Sequence, residues 1–265
     1  MLRMKSLQSI DGLVKLPLYD WPEFHEQTDF IWAAIRQAAR EEGLDLPVDL
    51  DHQYQRLSAT MEETLVFSQL CGSPWSRHYS ASATYLATCD FDIEGNTGGH
   101  YFSQIVVAES ASFEGLSDLK NATFAFNDDD SQSGVHCTRP LFETDALVAA
   151  GVETGGHRMS MEAVAEGRAD FAAIDAISYS LAERTMPDVA RQLRIIGQTP
   201  LRPAPVLITA TSLGPAVGQA MKNAVMNAVS SLPSGIRETY GQRGVVRLDE
   251  EDYSIFALDR AARPD

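Results

Sequence analysis

The sequence predicts a two-lobed α/β protein. Short apolar runs of strand length alternate with stretches of helical periodicity along all 265 residues, the signature of layered α/β architecture. The chain is 44% hydrophobic, enough to bury one large or two modest cores. A self-contained run of strands and helices from about 101 to 202 divides the rest. Residues 1–100 with 203–265 are therefore expected to form one discontinuous lobe, and 101–202 the other. Two chain crossings make a hinge suited to closing over a ligand.

The elements follow in order. Leu13 to Leu18 reads as a first strand, with Pro17, Tyr19 and Asp20 at its end. Thr28 or Asp29 is expected to cap the next helix, whose apolar face carries Phe30, Ile31, Ala34, Ile35, Ala38 and Ala39 and which Gly43 ends. Thr64 to Ser68 reads as a buried strand running out at Gln69, Cys71 and Gly72; Ser82 to Thr88 is a weaker strand. The polar, glycine-bearing stretch Asp92 to Gly99 is a loop, and Tyr101 to Ala108 a strong strand. A helical turn at Leu116 to Leu119 precedes a strand over Ala122 to Phe126. After Ser131-Gln132-Ser133-Gly134 a helix is expected. Pro140 interrupts it, so a short piece should be followed by a second helix from Pro140 to about Ala150. Met159 to Glu166 is helical, and Asp170 to Ile174, Leu193 to Gly197 and Val206 to Ala210 are strands. The long helix after Pro215 shows Val217, Ala220, Met221, Ala224, Val225 and Ala228 as one stripe, and Tyr253 to Leu258 suggests a strand or turn.

Composition excludes several partners. A net charge of −16 repels nucleic-acid phosphates and anionic headgroups, and no basic stripe reverses it. No apolar run approaches the roughly 18 residues of a membrane span, so no membrane insertion is expected. Cys71, Cys89 and Cys137 lack metal-ligand spacing; they are buried thiols, or Cys71 and Cys89 are bridged in an oxidising compartment. His52, His78 and His100 are isolated, so neither a metal nor a cofactor is expected. The amino terminus shows no apolar signal core, which suits either the mature form of an exported protein or a cytoplasmic one.

The sharpest local feature is the segment Phe126 to Gly134, an apolar strand feeding a loop with two serines and a glycine. Serine hydroxyls are rotatable donors, glycine admits close backbone approach, and a helix start exposes N–H groups. Together they can hold an oxyanion without lysine or arginine, although a serine there can also serve only as a helix cap.

Around this loop stands an ordered set of segments: Gln104-Ile105-Val106-Val107, Leu116 to Lys120, Thr123 to Phe126, Gly155-Gly156-His157, Ala163 to Asp170 and Ala172 to Asp175. In this order the chain resembles the phosphate/phosphonate substrate-binding proteins of ABC importers. The resemblance covers most of 100–200, is looser before and weak after about 212. It implies the type II periplasmic-binding-protein fold, a small anionic ligand, a partner ABC permease and a periplasmic location. Ser131, Gln132, Ser133 and Gly134 would hold the anion through hydroxyls and backbone N–H groups, and His157 would donate to a phosphoryl oxygen. Gln132 stands where threonine is frequent in the family. Asp175, at a strand's carboxyl end, would favour a protonated or ammonium-bearing ligand over sulfate, or else caps the following helix. Tyr19, Gln69 and Tyr101 would contribute from strand ends or simply pack. Two other functions share these residues: a sensor module of the same fold, and a hydrolase built on Ser133, His157 and Asp175, which lacks a G-x-S-x-G elbow.

Overall fold

The computed structural model describes residues 7–53 and 64–256. The chain divides into two compact units, one from Met1–Asp90 and Ala204–Leu248, the other from Phe91–Pro203 and Asp249–Asp265. Among the described residues no helix is long and apolar enough to cross a membrane.

The first unit is built on a five-stranded sheet. Its strands are β2 (Leu13–Val14), β4 (Leu65–Leu70), β5 (Ala83–Phe91), β13 (Val206–Ala210) and β14 (Gln242–Val246), in the order β14-β5-β13-β4-β2. β13 runs antiparallel to both β4 and β5, while β2 is parallel to β4. Every residue of β4 and β13 is buried, as expected for central strands that are apolar on both faces. A small parallel pair, β1 (Gln8–Ser9) and β3 (Leu44–Asp45), flanks this sheet's connections. Helices α1 (His25–Glu41) and α5 (Pro215–Ser230) pack on one another. Trp32 of α1 stacks on Phe67 of β4 at 5.4 Å, which ties helix to sheet.

Two sequence expectations fail in α1. The helix begins at His25, not after Thr28 or Asp29, because Pro22 starts a 3₁₀ turn that runs straight into it. Thr28 instead turns its hydroxyl back to the Phe24 carbonyl at 3.0 Å and to Tyr240 Oη at 2.8 Å. The buried stripe is Thr28, Ile31, Trp32, Ile35 and Ala39, so Phe30 lies outside it, 45% exposed. The expected first strand is also short: only Leu13–Val14 of Leu13 to Leu18 pairs.

The second unit repeats the plan. Its sheet holds β7 (Ser103–Ala108), β8 (Phe124–Phe126), β9 (Val152–Glu153), β10 (Phe171–Asp175) and β11 (Leu193–Gln198), in the order β11-β7-β10-β8-β9. β10 is antiparallel to β7 and parallel to β8. A short antiparallel pair, β6 (His100–Tyr101) with β12 (Arg202–Pro203), lies beside it in sequence. Its helices are α2 (Thr144–Ala150), α3 (His157–Ala165) and α4 (Ala176–Thr185). Ile105, Val107, Leu119, Phe124, Phe126, Val135, Phe171 and Ala173 form one buried cluster. Phe124 and Phe171, in register on neighbouring strands, stack at 4.8 Å. Full burial of such a ring is worth about 1.5–3 kcal/mol, so this cluster anchors whatever its strands carry at their ends.

Here too the helix expected after the Ser-Gln-Ser-Gly segment is absent. Residues 132–135 form turns, a single 3₁₀ turn spans His136–Thr138, and α2 starts only at Thr144. Pro140 lies in the intervening turns rather than at a helix start. Where a strand or turn was expected from Tyr253, a helical turn spans Glu250–Tyr253; Ala257 and Leu258 fall outside the described residues.

Candidate functional site

The carboxyl ends of β8 and β10 carry the chemistry of the second unit. β8 ends at Phe126 and delivers the chain into Asn127 to Gly134. The loop is not open to solvent: Ser131, Gln132 and Ser133 are 7%, 0% and 4% exposed. Val135, next in the chain, belongs to the apolar cluster and pins the loop's end.

The carbonyls of Ser131, Gln132 and Ser133 are engaged within the second unit. The Ser131 carbonyl accepts from the N–H groups of Val135 and His136, each at 3.0 Å, and the Gln132 carbonyl from Cys137 N–H at 2.8 Å. The Ser133 carbonyl accepts from Ser103 Oγ at 2.9 Å. Ser131 Oγ accepts from Gly134 N–H at 3.0 Å. Donors remain. Among the described residues, no acceptor is found for the Ser131 hydroxyl hydrogen and no partner for the Ser133 N–H. Gly134 is required for this packing: a Cβ there would lie 2.9 Å from Ser131 Oγ and 3.2 Å from the Asn127 amide.

Gln132 acts differently from its neighbours. Its side-chain amide donates to Tyr101 Oη at 3.2 Å and to the Pro203 carbonyl at 2.7 Å. Gln132 is thus an internal strut joining the loop to β6 and β12. Its side chain faces neighbours, which leaves backbone contact as its route to an anion. Tyr101, 1% exposed, is the other end of that strut.

His157 opens α3 behind the Gly155–Gly156 pair; Gly155 sits at φ +90°, a conformation glycine adopts without strain. Its Nε2 lies 2.8 Å from Ser133 Oγ and 3.0 Å from Asp175 Oδ2. Asp175 ends β10 and caps α4, so the capping reading of this residue is realised. Oδ1 accepts from the N–H groups of Ile177 and Ser178 at 3.0 and 2.9 Å, and Oδ2 from Ser178 Oγ at 2.6 Å. Burial raises the carboxyl's hold on its proton. The neighbouring His157 and the Ser178 hydrogen bonds outweigh that, so its pKa lies below the ordinary value of 3.8. The opposite ring atom, His157 Nδ1, is buried with no hydrogen-bond partner.

This geometry separates anion binding from nucleophilic catalysis. A serine–histidine–aspartate relay uses the two ring nitrogens for two different partners. Here one nitrogen, Nε2, faces both Ser133 and Asp175, and the other faces neither. With its proton on Nε2 held by two oxygens, the ring leaves the Ser133 hydroxyl hydrogen free to donate elsewhere. The cluster is a set of donors positioned by a buried carboxylate.

Tyr19 and Gln69 belong to the first unit, and both are buried. Gln69, at the end of β4, donates its side-chain amide to Cys89 Sγ at 3.3 Å. Burial pushes the Cys89 thiol up to about 12, so it stays protonated as an acceptor of that bond. No disulfide joins Cys71, Cys89 and Cys137, and Cys71 is only partly buried, so the bridged alternative is not formed. A depression of about 470 Å³ in the first unit is lined by Gln8, Glu42, Gly43, Leu44, Ala216, Val217 and Ala220. Its one charged side chain is a carboxylate, which does not suit an anion.

Sequence reasoning missed the internal partners of the donor loop. Nothing in the spacing of Tyr101, Gln132 and Pro203 shows that they meet. Ser103, a buried polar residue at the start of a largely apolar strand, was the available signal for a contact behind the loop.

Comparison with known proteins gives three findings. A family model described as the periplasmic substrate-binding protein of phosphonate ABC transporters matches residues 77–253, more than half of the chain. No curated protein matches the sequence. Among solved structures, PhnD1 from Prochlorococcus marinus in complex with methylphosphonate aligns with a TM-score of 0.73 at 14% identity, over 94% of this chain and 97% of that one. The binding-protein component of an ABC phosphonate transporter from Pseudomonas aeruginosa gives 0.72 at 15%, covering 94% and 86%. A Xanthomonas citri protein bound to ATP gives 0.64 at 17%, covering 96% and 100%. At these identities the structural likeness establishes the two-lobed binding-protein fold.

Proposed function

This chain belongs to the periplasmic phosphonate substrate-binding family of ABC transporters, and on that premise we propose that the Ser131–Gly134 loop with His157 binds the oxyanion group of a phosphonate, phosphite or phosphate for delivery to an ABC permease. The family is one of transport proteins, not enzymes, and its members are periplasmic. We place this chain in the same compartment.

One observation carries the reading. Ser131 O–H, Ser133 N–H and Ser133 O–H are buried donors with hydrogen-bonding capacity to spare, and His157 Nε2, facing Ser133 Oγ, leaves the Ser133 hydroxyl hydrogen free to donate. A native structure rarely leaves such capacity buried unless something else fills it. A tetrahedral oxyanion offers several acceptor oxygens at once. The charged Asp175 carboxylate beside this group adds selectivity. A fully ionised sulfate is repelled, whereas an oxyanion that keeps a proton, or carries an ammonium group, is tolerated.

Titration calorimetry with methylphosphonate, aminoethylphosphonate, phosphate and sulfate tests this. Ser133→Ala and His157→Ala are expected to weaken binding of the preferred oxyanion roughly 5- to 150-fold each, from about 1–3 kcal/mol per lost bond to a charged group. Sulfate should be the weakest of the four. Unchanged affinity in both variants would move the site away from this loop. No binding by any of the four would place the ligand in another chemical class.

A further inference from the structure

A second group of ionisable side chains lies in the first unit, beginning at Asp20, the residue after Tyr19. Asp20 follows β2, His25 is the first residue of α1, and His52 sits in the segment after β3. One ligand-capable atom from each lies within 4.8 Å of the others. We propose that these three residues bind one divalent transition-metal ion of the zinc type. The proposal does not depend on the phosphonate reading.

The donor set points to the ion class. Two imidazoles and one carboxylate suit zinc and its first-row neighbours, whereas calcium and magnesium take oxygen donors. Three protein ligands leave a fourth position open to water.

The distances fit after a small adjustment. Donors around a tetrahedral zinc, with bonds of about 2.0–2.2 Å, stand about 3.3 Å apart. Here His52 Nδ1 is 2.7 Å from Asp20 Oδ2, and His25 Nε2 is 3.9 Å from Asp20 Oδ1. The two gaps run to different oxygens of the one carboxylate, so a single ion requires a small rotation of the Asp20 carboxyl group as well as shifts of about half an ångström. The two imidazoles stack, with centroids 4.0 Å apart and planes at 19°, so one ring must tilt for both in-plane lone pairs to meet at one ion. The proton between His52 and Asp20 leaves when the cation enters.

Two features argue for a ligand rather than a chance meeting of side chains. The Asp20 side chain is 2% exposed, and its Oδ1 has no hydrogen-bond partner. A buried carboxylate oxygen with nothing to accept is costly, and a cation supplies what is missing. Moreover, the far nitrogen of His52, Nε2, lies 3.2 Å from Asp29 Oδ1. A metal-bound histidine characteristically gives its other N–H to a carboxylate, which fixes the ring and raises its basicity. Asp29 stands one helical turn beyond His25 on α1, so a single helix supplies a ligand and a supporting group.

The His52 segment is held in place beforehand. Asp51 N–H donates to the Val14 carbonyl at 2.9 Å. The buried Lys15 ammonium reaches Asp51 Oδ2 at 2.9 Å and the Gln53 carbonyl at 2.7 Å.

The test uses the full chain, stripped of metal by chelator and dialysed. Zinc is titrated by calorimetry and cobalt(II) by visible absorption, on the wild type, His25→Ala, His52→Ala, Asp20→Asn and, as a control, the exposed His78→Ala. We expect one zinc per chain, at least about a 10-fold loss of affinity in each of the three ligand variants, and no change in the control. His25 is partly exposed, so its variant reports even if Asp20→Asn folds poorly. Cobalt should give visible d–d bands without a sulfur-to-metal charge-transfer band. Absence of single-site zinc binding, zinc affinity unmoved in His25→Ala and His52→Ala, or a thiolate signature placing the ion on a cysteine would each overturn the proposal.

Discussion

Asp175 and Asp20 are both buried carboxylates beside a histidine, yet they are opposite cases. Asp175 ends a strand and starts a helix, so two backbone N–H groups, the Ser178 hydroxyl and His157 Nε2 all point at its two oxygens. Asp20 lies just before a 3₁₀ turn that its side chain does not cap; Oδ2 has His52 and Oδ1 has no hydrogen bond. The difference teaches what a histidine–aspartate pair does. Where the backbone completes the carboxylate's shell, the carboxylate is structural, and the capacity left over belongs to its neighbours: Ser133 and His157. Where the backbone does not, the carboxylate itself is the group left wanting a partner.

The comparison is broken most directly at Asp175. Asp175→Ala removes a helix cap and leaves His157 without its carboxylate. We expect a loss of about 2–4 kcal/mol in urea unfolding, together with weaker phosphonate binding. The pH dependence has a definite sign. The folded-state pKa lies below 3.8, so the stabilisation is complete above the unfolded value and is lost as pH falls through the folded one. Stability measured from pH 6 downward should therefore fall below about pH 4 in the wild type, and the fall should be shallower in Asp175→Asn. Equal slopes would mean that His157 and Ser178 do not hold this carboxylate charged.

Gly134→Ala probes the other half of the same cluster. The added Cβ meets Ser131 Oγ at 2.9 Å, so the Gly134 N–H to Ser131 Oγ bond must lengthen. An overpacked site of this kind costs about 1–3 kcal/mol, and oxyanion affinity should fall with it. Full binding in a folded variant would show that the loop's donors tolerate rearrangement.

How much of this was legible in the sequence depends on the range of the contact. The sheet strands were visible as short apolar runs, since Phe124 to Phe126 and Phe171 to Ile174 are buried on both faces and carry no polar alternation. The loop after β8 was visible from its serines and glycine, and Asp175 from its place between a strand and a helix. The helix after Gly134 was misread because Ser-Gly followed by apolar residues looks like a helix start. What decides otherwise is non-local: the Ser133 carbonyl and Gln132 side chain are taken by Ser103, Tyr101 and Pro203, whose positions no local periodicity reports. His52 was read as isolated for the same reason, and His25 was not singled out. His25 and His52 meet only because Val14 and Lys15 hold the segment around Asp51 against the first sheet.

The smallest expected effect is the sharpest discriminator between the two carboxylates. Asp20→Asn, in metal-free protein, keeps an amide oxygen for His52 Nδ1–H and replaces an unpartnered charged oxygen by a neutral group. Its stability should stay within about 1 kcal/mol of the wild type, in the direction of a gain, because a buried charge with an incomplete shell is removed. The same change at Asp175 deletes a charge that four donors already satisfy and should be costly. Urea unfolding of the two variants side by side measures the contrast. A loss at Asp20 as large as that at Asp175 would mean its charge is fully compensated by His25 and His52 as they stand, leaving nothing for a cation to supply.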